Sequence, residues 1–560
     1  MLYMRYKILK RIQNGQSTVG FQLLSEDNKI LNVSKDQVLQ VAYQGLIVNS
    51  AYNKHTKSLS GKNGTDLRKL TSIQFGEIVC SKQTQSKSKT YIDLANRYEA
   101  KQELIGKLLR FKQLDEDKFE LIEVLDKRST GLIVIPSFIT SIGAQENKSN
   151  LDQYKSNSPF RMCRFTEIFI DNRPGVPFFA DGLCSDMHSE TLKITFRHPE
   201  CVVSTQFMFW YCCNLKKLDV SSLNTSNVVN MQSMFGGCSK LEKLNIENFN
   251  TSKVQNMASM FCHCGSIKSL NLGNFDTTNV RDFHAIFDGC TSLKSVDISS
   301  FRTTKATNMR IMFSSCWLLE DIDVSNFDTS NVRDMEKMFS GCSSLKKLNV
   351  SGFNTSKVIS MHGMFDYCRN LRKLDLSNFD TSRVKVMSRM FSNCESLEEL
   401  DIFSFDTHRV RNFNHMFEGC KSLVYLDLSN FNTTSATNIS SMFKDCSKLQ
   451  EVSIPAFNTR NVKDMREMFC ECCELRDIDL KSFNTSNVQL MCGMFHNCSM
   501  LKQLDLRTFS LEALIGRKDL SSIIGECKSL KDLYINQGIL RIASDGYSYL
   551  NRDNIKVHIV

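Results

Sequence analysis

Tryptophan and proline are scarce in this chain of 560 residues, with two and six copies, and no tract rich in Pro or Gly suggests disorder. No stretch reaches the ~18 consecutive apolar residues that a membrane-spanning helix needs, so no membrane span is expected. The first residues, MLYMRYKILKRIQNGQS, contain no apolar run of the length a secretory signal requires. With 22 cysteines and no such run, the expected compartment is reducing and the expected location cytoplasmic. Catalytic signatures are missing as well. There is no phosphate-cradling G-x-x-x-x-G-K-[ST], no H-E-x-x-H and no G-x-S-x-G, and SGKNGT near Lys62 has the wrong order. A non-enzymatic protein without a cofactor is therefore expected.

Charge of negative sign is short at one end. Residues 1–90 hold 14 Lys/Arg against 5 Asp/Glu, a net of +9, while the whole chain carries +10. Residues 91–560 are thus close to neutral, and attraction to an acidic partner belongs to the N-terminal region. There Lys54, Lys57, Lys62, Arg68 and Lys69 are candidates for contact with nucleic acid, although the interleaved aromatics are only Tyr52 and Phe75. A solvated basic loop accounts for the same residues.

What is abundant is Phe, with 38 copies, and Cys, and both follow one repeat. The Phe of an MF-type doublet recurs every 26 residues from Phe209 to Phe495, twelve times, and a Cys follows each by three, from Cys212 to Cys498. One unit, LKKLNVSGFNTSKVISMHGMFDYC, runs over 345–368. In its first half Leu348 and Val350 alternate with Asn349 and Ser351, the period of a strand with one buried side. In its second half Val358, Met361, Met364, Phe365 and Cys368 are spaced as one face of a helix. The FNTS between them offers the residue types that cap a helix N-terminus. A strand–turn–helix unit cannot bury its own apolar stripe, so neighbours must stack. The expected fold is an α/β, leucine-rich-repeat-like right-handed solenoid. It has a parallel sheet on one side, helices on the other, and a small N-terminal α+β domain.

The expected domains are a basic α+β domain over 1–130, degenerate capping repeats over 131–205, the strict solenoid over 206–510, and a modified repeat with its cap over 511–560. Leu192 and Ile194 precede Leu218 and Val220 by 26 and mark an extra strand. KSLKDLYI supplies a late, modified strand, NRDNIKVHIV closes the array, and GLIVIPSFITSIG (131–143) reads as a further strand with a Pro turn. Nearer the start, RYKILKRI, STVGFQLL and KILNV suggest short strands. VSKDQVLQVAYQG and residues 91–111 suggest helices, and the polar stretch 81–90 suggests a linker.

The frame MFxxCxxLxxLDLSxFDTSNVxxM resembles the 26-residue repeats of BspA-type leucine-rich-repeat surface proteins of bacteria, over roughly residues 185–510. IPSFITSIG is similar to a strand-and-turn piece of another repeat class of that family. The resemblance implies a leucine-rich-repeat fold and a role in adhesion or protein binding at a cell surface. The ninth strand position, usually Asn or Cys, is here Phe, with Leu223 in the first unit.

Candidate sites follow from positions left free by the framework. The residue after the second Leu is Asp or Asn in eleven of twelve units, including Asp297, Asp323, Asp375, Asp401 and Asp427. This row should project from the concave sheet. Either it holds a cation or basic ligand, or each carboxylate accepts hydrogen bonds from a turn. Phe403 and Tyr425 interrupt the charge and mark the expected place for a protein ligand. The Cys ladder is expected to be packed core, since one thiol per coil is not metal-ligand spacing. Extra thiols at Cys262 with Cys264, and at Cys470, Cys472, Cys473 and Cys492, form local clusters. No C-x-x-C answers another, so no metal site is expected. NTS sequons at Asn224, Asn250, Asn354 and Asn484 are explained by capping.

Overall fold

The computed structural model describes residues 160–513 except 171, 173, 174 and 176, then 521–542 and 555–559; before residue 160 it describes the backbone of eight strands. The chain divides into two compact units, Met1–Ile267 and Lys268–Val560.

In the first unit β1 (Met4–Asn14), β2 (Ser17–Ser25), β3 (Ile30–Ser34) and β4 (Leu46–Asn49) form one sheet in the order β3-β2-β1-β4. The three strands expected near the start are thus present. Two further sheets build the beginning of the solenoid. One combines β5 (Leu109–Asp115), β6 (Lys118–Val124), β8 (Ile139–Ile142), β10 (Phe178–Phe179) and β12 (Val202–Ser204), in the order β12-β10-β8-β6-β5. The other combines β7 (Thr130–Ile135), β9 (Arg164–Ile170), β11 (Thr191–Phe196), β13 (Lys217–Asp219) and β14 (Lys243–Leu244), in the order β14-β13-β11-β9-β7. Leu192 pairs with Leu218 in parallel, as their separation of 26 requires. The expected helix over 33–45 falls almost wholly outside the described residues, as do 91–108 of the second, while Leu109–Phe111 lie in β5.

The second unit is coiled in the same way. β15 (Ser269–Asn271) pairs with β16 (Ser295–Asp297), β17 (Lys373–Asp375) with β18 (Glu399–Asp401), and β19 (Tyr425–Asp427) with β20 (Glu451–Ser453), all parallel at 26-residue offset. β21 (Gln503–Asp505), β22 (Asp532–Ile535) and β23 (Lys556–Ile559) end the array. KSLKDLYI and the terminal segment therefore do what their patterns suggest.

The helices expected in the repeats are absent. Among the described residues the α-helices are α1 (Ser521–Ile524) and α2 (Gln537–Ile542), both outside the strict repeats. The described array is a parallel β-solenoid, not an α/β one. The reason lies in where the backbone N–H groups go. Met361, Gly363, Phe365 and Tyr367 donate to the carbonyls of Val386, Ser388, Met390 and Ser392 on the next coil, at 2.7–3.0 Å. The residues between them, Met364, Asp366 and Cys368, donate to the residue three back, at 3.1–3.2 Å. A helix would need every N–H bonded four residues back within its own segment. Here every second bond links two coils, so the segment is a ribbon of three-residue turns. Two of these three turns hold a left-handed residue, Gly363 (φ 56) in the first and Tyr367 (φ 59) in the third. At the equivalent of Tyr367, Gly341 has φ 77, and a Cβ there would lie 3.2 Å from the Ser315 backbone. Helices are about 10 Å wide and strands about 4.8 Å apart, so the ribbon lets adjacent coils keep strand spacing on this side too.

The core is a set of columns, one residue per coil. Phe287, Phe313, Phe339, Phe365, Phe391, Phe417, Phe443, Phe469 and Phe495 stack with centroids 5.1–6.0 Å apart and planes within 12°. Leu348 and Val350 are buried while Asn349 and Ser351 are exposed, as the alternation predicts. The Thr of each FNTS-type corner forms another buried column, with hydroxyls donating to the next coil: Thr329 to the Asn354 carbonyl, and Thr355 to that of Asp380, both at 2.9 Å. The Asn or Asp before each Thr caps a turn instead of a helix; Asn354 Oδ1 accepts from the Ser356 N–H at 3.1 Å.

Candidate binding face

The outward side of the strand column carries the candidate residues. Asp297, Asp323, Asp375, Asp401 and Asp427 all lie exposed, one per coil at the same slot. Each carboxylate accepts a hydrogen bond from the backbone N–H two residues on: Ser299, Ser325, Ser377, Phe403 and Ser429, at 2.9–3.1 Å. Serine hydroxyls add a second bond to Asp297 and Asp375, at 2.7 Å. These bonds hold the carboxyls of Asp297, Asp323, Asp375 and Asp427 below the usual carboxylate range. The row is satisfied within its own turns. Asn serves equally in the slot because a single Oδ1 acceptor suffices, as Asn349 shows with Ser351.

Phe403 is 64% exposed, Tyr425 52% and Val424 46%, which makes them large apolar groups turned to solvent. They sit on neighbouring coils beside Asp401, Asp427, Glu398, Glu399 and Glu451, which are exposed too. Toward the preceding coils the face turns basic, with Lys346, Lys347, Arg372 and Lys373. Lys373 spans the border to Glu399 at 2.5 Å. An apolar centre flanked by carboxylates and then by cations is a surface that can select a partner by charge as well as by contact.

The framework thiols take no part in this face. In the second unit Cys316, Cys342, Cys368, Cys394, Cys420, Cys446, Cys472 and Cys498 are buried. Each Sγ donates to the carbonyl of the Phe 29 residues earlier, at 3.0–3.2 Å. Burial holds the thiols from Cys316 to Cys472 protonated, pushing Cys342 up to about 12, and the Cys527 thiol beside Cys498 adds to burial there. The described cysteines are all free. Among the described cysteines, a thiol reagent should therefore modify Cys492, the exposed one, first, and the half-buried Cys213 and Cys473 more slowly, with the ladder untouched until unfolding. Mass mapping of labelled peptides checks this, and early labelling of Cys394 would contradict it.

The turn ribbon carries a polar network that spacing alone had assigned to a helix. His415 Nδ1 lies 2.8 Å from Glu418 Oε2, Lys444 Nζ lies 2.6 Å from Glu467 Oε2, and Arg310 pairs with Glu336. His284 and His362 are half-buried here, and His362 Nδ1 meets the Ser388 hydroxyl at 2.6 Å. Burial raises the Asp366 carboxyl to about 6. The signal available in the sequence was the recurrence of charge at fixed offsets from the MF-type doublet. Lys54, Lys57, Lys62, Arg68 and Lys69 lie outside the described residues. Among the described residues, no helix is long and apolar enough to cross a membrane.

Residues 185–274, 262–373, 307–426, 342–451 and 423–534 each match one family model, described as "Mycoplasma protein of unknown function, DUF285". The chain belongs to this DUF285 family. The matched segments begin near β11 and end in β22, so they span the strict repeats and extend beyond them at both ends. Among solved structures, a leucine-rich cell surface protein from Faecalibacterium prausnitzii is 15% identical, over 62% of this chain and 93% of that one, with a TM-score of 0.33. A leucine-rich-repeat protein of T. pallidum is 16% identical, over 38% of this chain and 89% of that one, with a TM-score of 0.22. Comparison with curated proteins gave no match.

Proposed function

We propose that this DUF285 chain is a non-enzymatic protein-binding scaffold whose outward strand face receives a protein ligand around Phe403, Val424 and Tyr425. The observation that carries this reading is the division of labour within each coil. Leu, Phe, Met, Thr and Cys columns are buried and nearly invariant, whereas the outward slots are exposed and differ from coil to coil. The exposed Phe403 and Tyr425 supply the aromatic anchors that dominate protein interfaces.

The test places a photo-crosslinker at Tyr425 in the full chain, and in a second protein at Asp445 on the turn ribbon, in source cells. A protein captured from Tyr425 and not from Asp445 is then bound to purified chain. The Phe403→Ala/Tyr425→Ala double variant should bind it at least tenfold more weakly with an unchanged unfolding midpoint. Equal affinity would remove this face from consideration.

The likeness of the frame to BspA-type repeats supports a second reading, in which the same face serves an adhesin at a cell surface. Protease shaving of intact cells separates the two: cleavage within the array places it outside, and protection with reduced thiols places it inside. A third reading, nucleic-acid association through Lys54 to Lys69, rests on the net charge of residues 1–90. It requires binding that falls steeply with salt and vanishes when those residues are deleted.

A further inference from the structure

We propose that Cys470, Glu471 and His496 form a site for one divalent cation of the zinc class, clamping two successive coils of the turn ribbon. The Cys470 Sγ, a Glu471 carboxylate oxygen and a His496 ring nitrogen all lie within 4.8 Å of one another. Glu471 Oε1 is 3.8 Å from His496 Nδ1. Ligand atoms around tetrahedral zinc stand about 3.5 Å apart, from bonds of about 2.0–2.3 Å, so a small contraction closes the site. Thiolate, imidazole and carboxylate together are a zinc donor set, and three protein ligands leave a fourth position for water.

The repeat builds this geometry. Cys470 and His496 occupy the same slot on adjacent coils, 26 residues apart. Strand spacing of about 4.8 Å brings such slots within chelating reach. The Glu471 N–H donates to the His496 carbonyl at 2.8 Å and locks the two coils in register. Glu471 itself takes the left-handed conformation, φ 62, in the slot that Gly237, Gly289, Gly341 and Gly419 fill on four other coils and Tyr367 and Asn497 on two more. Its second oxygen is already held, since Asn497 Nδ2 donates to Oε2 at 2.6 Å and leaves Oε1 facing the imidazole. Supporting bonds of this kind orient a metal ligand. Lys444, one coil back in the same slot, is neutralised by Glu467 at 2.6 Å.

The site is open to ions. The side chains of His496 and Glu471 are 46% and 40% exposed, while Cys470 sits beneath them, 7% exposed. Cys470 is not a framework thiol, because that role belongs to Cys472, which donates to the Phe443 carbonyl. The four thiols grouped in sequence do not act together: Cys472 is in the ladder, Cys473 is half-buried and Cys492 is exposed on another column. Burial and the Glu467 carboxylate push the Cys470 thiol up to about 11, so the cation binds by displacing its proton. One sulfur–hydrogen bond breaks, one sulfur–metal bond forms, and one proton leaves to solvent. Binding therefore tightens as pH rises.

Cobalt(II) is the probe, added under reducing, oxygen-free conditions to the full-length chain. One equivalent should give a thiolate-to-cobalt charge-transfer band that zinc abolishes, with zinc also raising the unfolding midpoint. Cys470→Ser and His496→Ala should each weaken binding at least tenfold, and Cys473→Ser and Cys492→Ser should leave it unchanged. If Cys470→Ser fails to fold, His496→Ala, at an exposed side chain, decides alone. No thiolate band at one equivalent overturns the proposal. So does a band that survives His496→Ala, or one lost equally in Cys473→Ser or Cys492→Ser.

Discussion

Replacing Phe391 by Ala should destabilise the solenoid by about 4 kcal/mol, the typical cost of emptying a fully buried Phe position. Phe391 has no exposed surface. Its ring stacks between Phe365 at 5.8 Å and Phe417 at 5.6 Å, within 9° of parallel. Removing it leaves a cavity between two rings that cannot close, because their coils are fixed by backbone bonds on either side. The Phe391 N–H bonds to the Met416 carbonyl at 2.9 Å, and the Phe365 N–H to Met390 at 2.9 Å. In a stacked array each coil is held mainly by its neighbours, so the loss should divide unfolding into two steps around this coil. Urea denaturation, with proteolysis mapped by mass, reads both the free energy and the point of cleavage. Phe403→Ala provides the contrast, since its exposed ring should matter by less than about 0.5 kcal/mol. A Phe391→Ala cost under about 1 kcal/mol would mean that the stacked column is not the core.

The second large effect belongs to a hydroxyl. Thr407 is fully buried, and its Oγ1 donates to the Asn432 carbonyl at 3.1 Å and accepts from the Asn432 N–H at 2.8 Å. Thr407→Val keeps the shape and removes both bonds, leaving a donor and an acceptor on the next coil unmatched. The expected loss is about 2 kcal/mol, since an orphaned buried polar group costs roughly 1–3 kcal/mol. Thr407→Ser keeps the hydroxyl and should recover most of that in the same denaturation experiment. Equal losses for Val and Ser would assign the cost to the methyl group's packing and not to the hydrogen bonds.

The sequence carried the coil more fully than its cross-section. A 26-residue period and the alternation at Leu348 and Val350 were enough to place parallel strands in register, as Leu192 and Leu218 confirm. The second half of the unit misled because Met361, Met364, Phe365 and Cys368 fit a helix and a chain of three-residue turns equally well. The discriminating residues were the Gly and Asn just before half of the ladder Cys, such as Gly341, Asn393 and Gly419, where the backbone is left-handed and no helix continues. The FNTS corner was read as a helix N-cap and is a turn instead, because an Asx turn uses the same acceptor as a helix N-cap. At the candidate face, the exposure of Phe403 and Tyr425 was legible from strand period alone. The grouping of Cys470 with His496 was also present, as a separation of 26. It stayed hidden because thiols were matched only to thiols, and because a helix would have turned these side chains differently.

Far-UV circular dichroism of the full-length chain tests most directly the claim that coil-to-coil β bonding, without repeat helices, builds the scaffold. A β-dominated spectrum lacking a strong helical double minimum is the expected result. A spectrum with the helical signal that one helix in each coil would produce would contradict it, and with it the placement of the turn ribbon and of the cation site upon it.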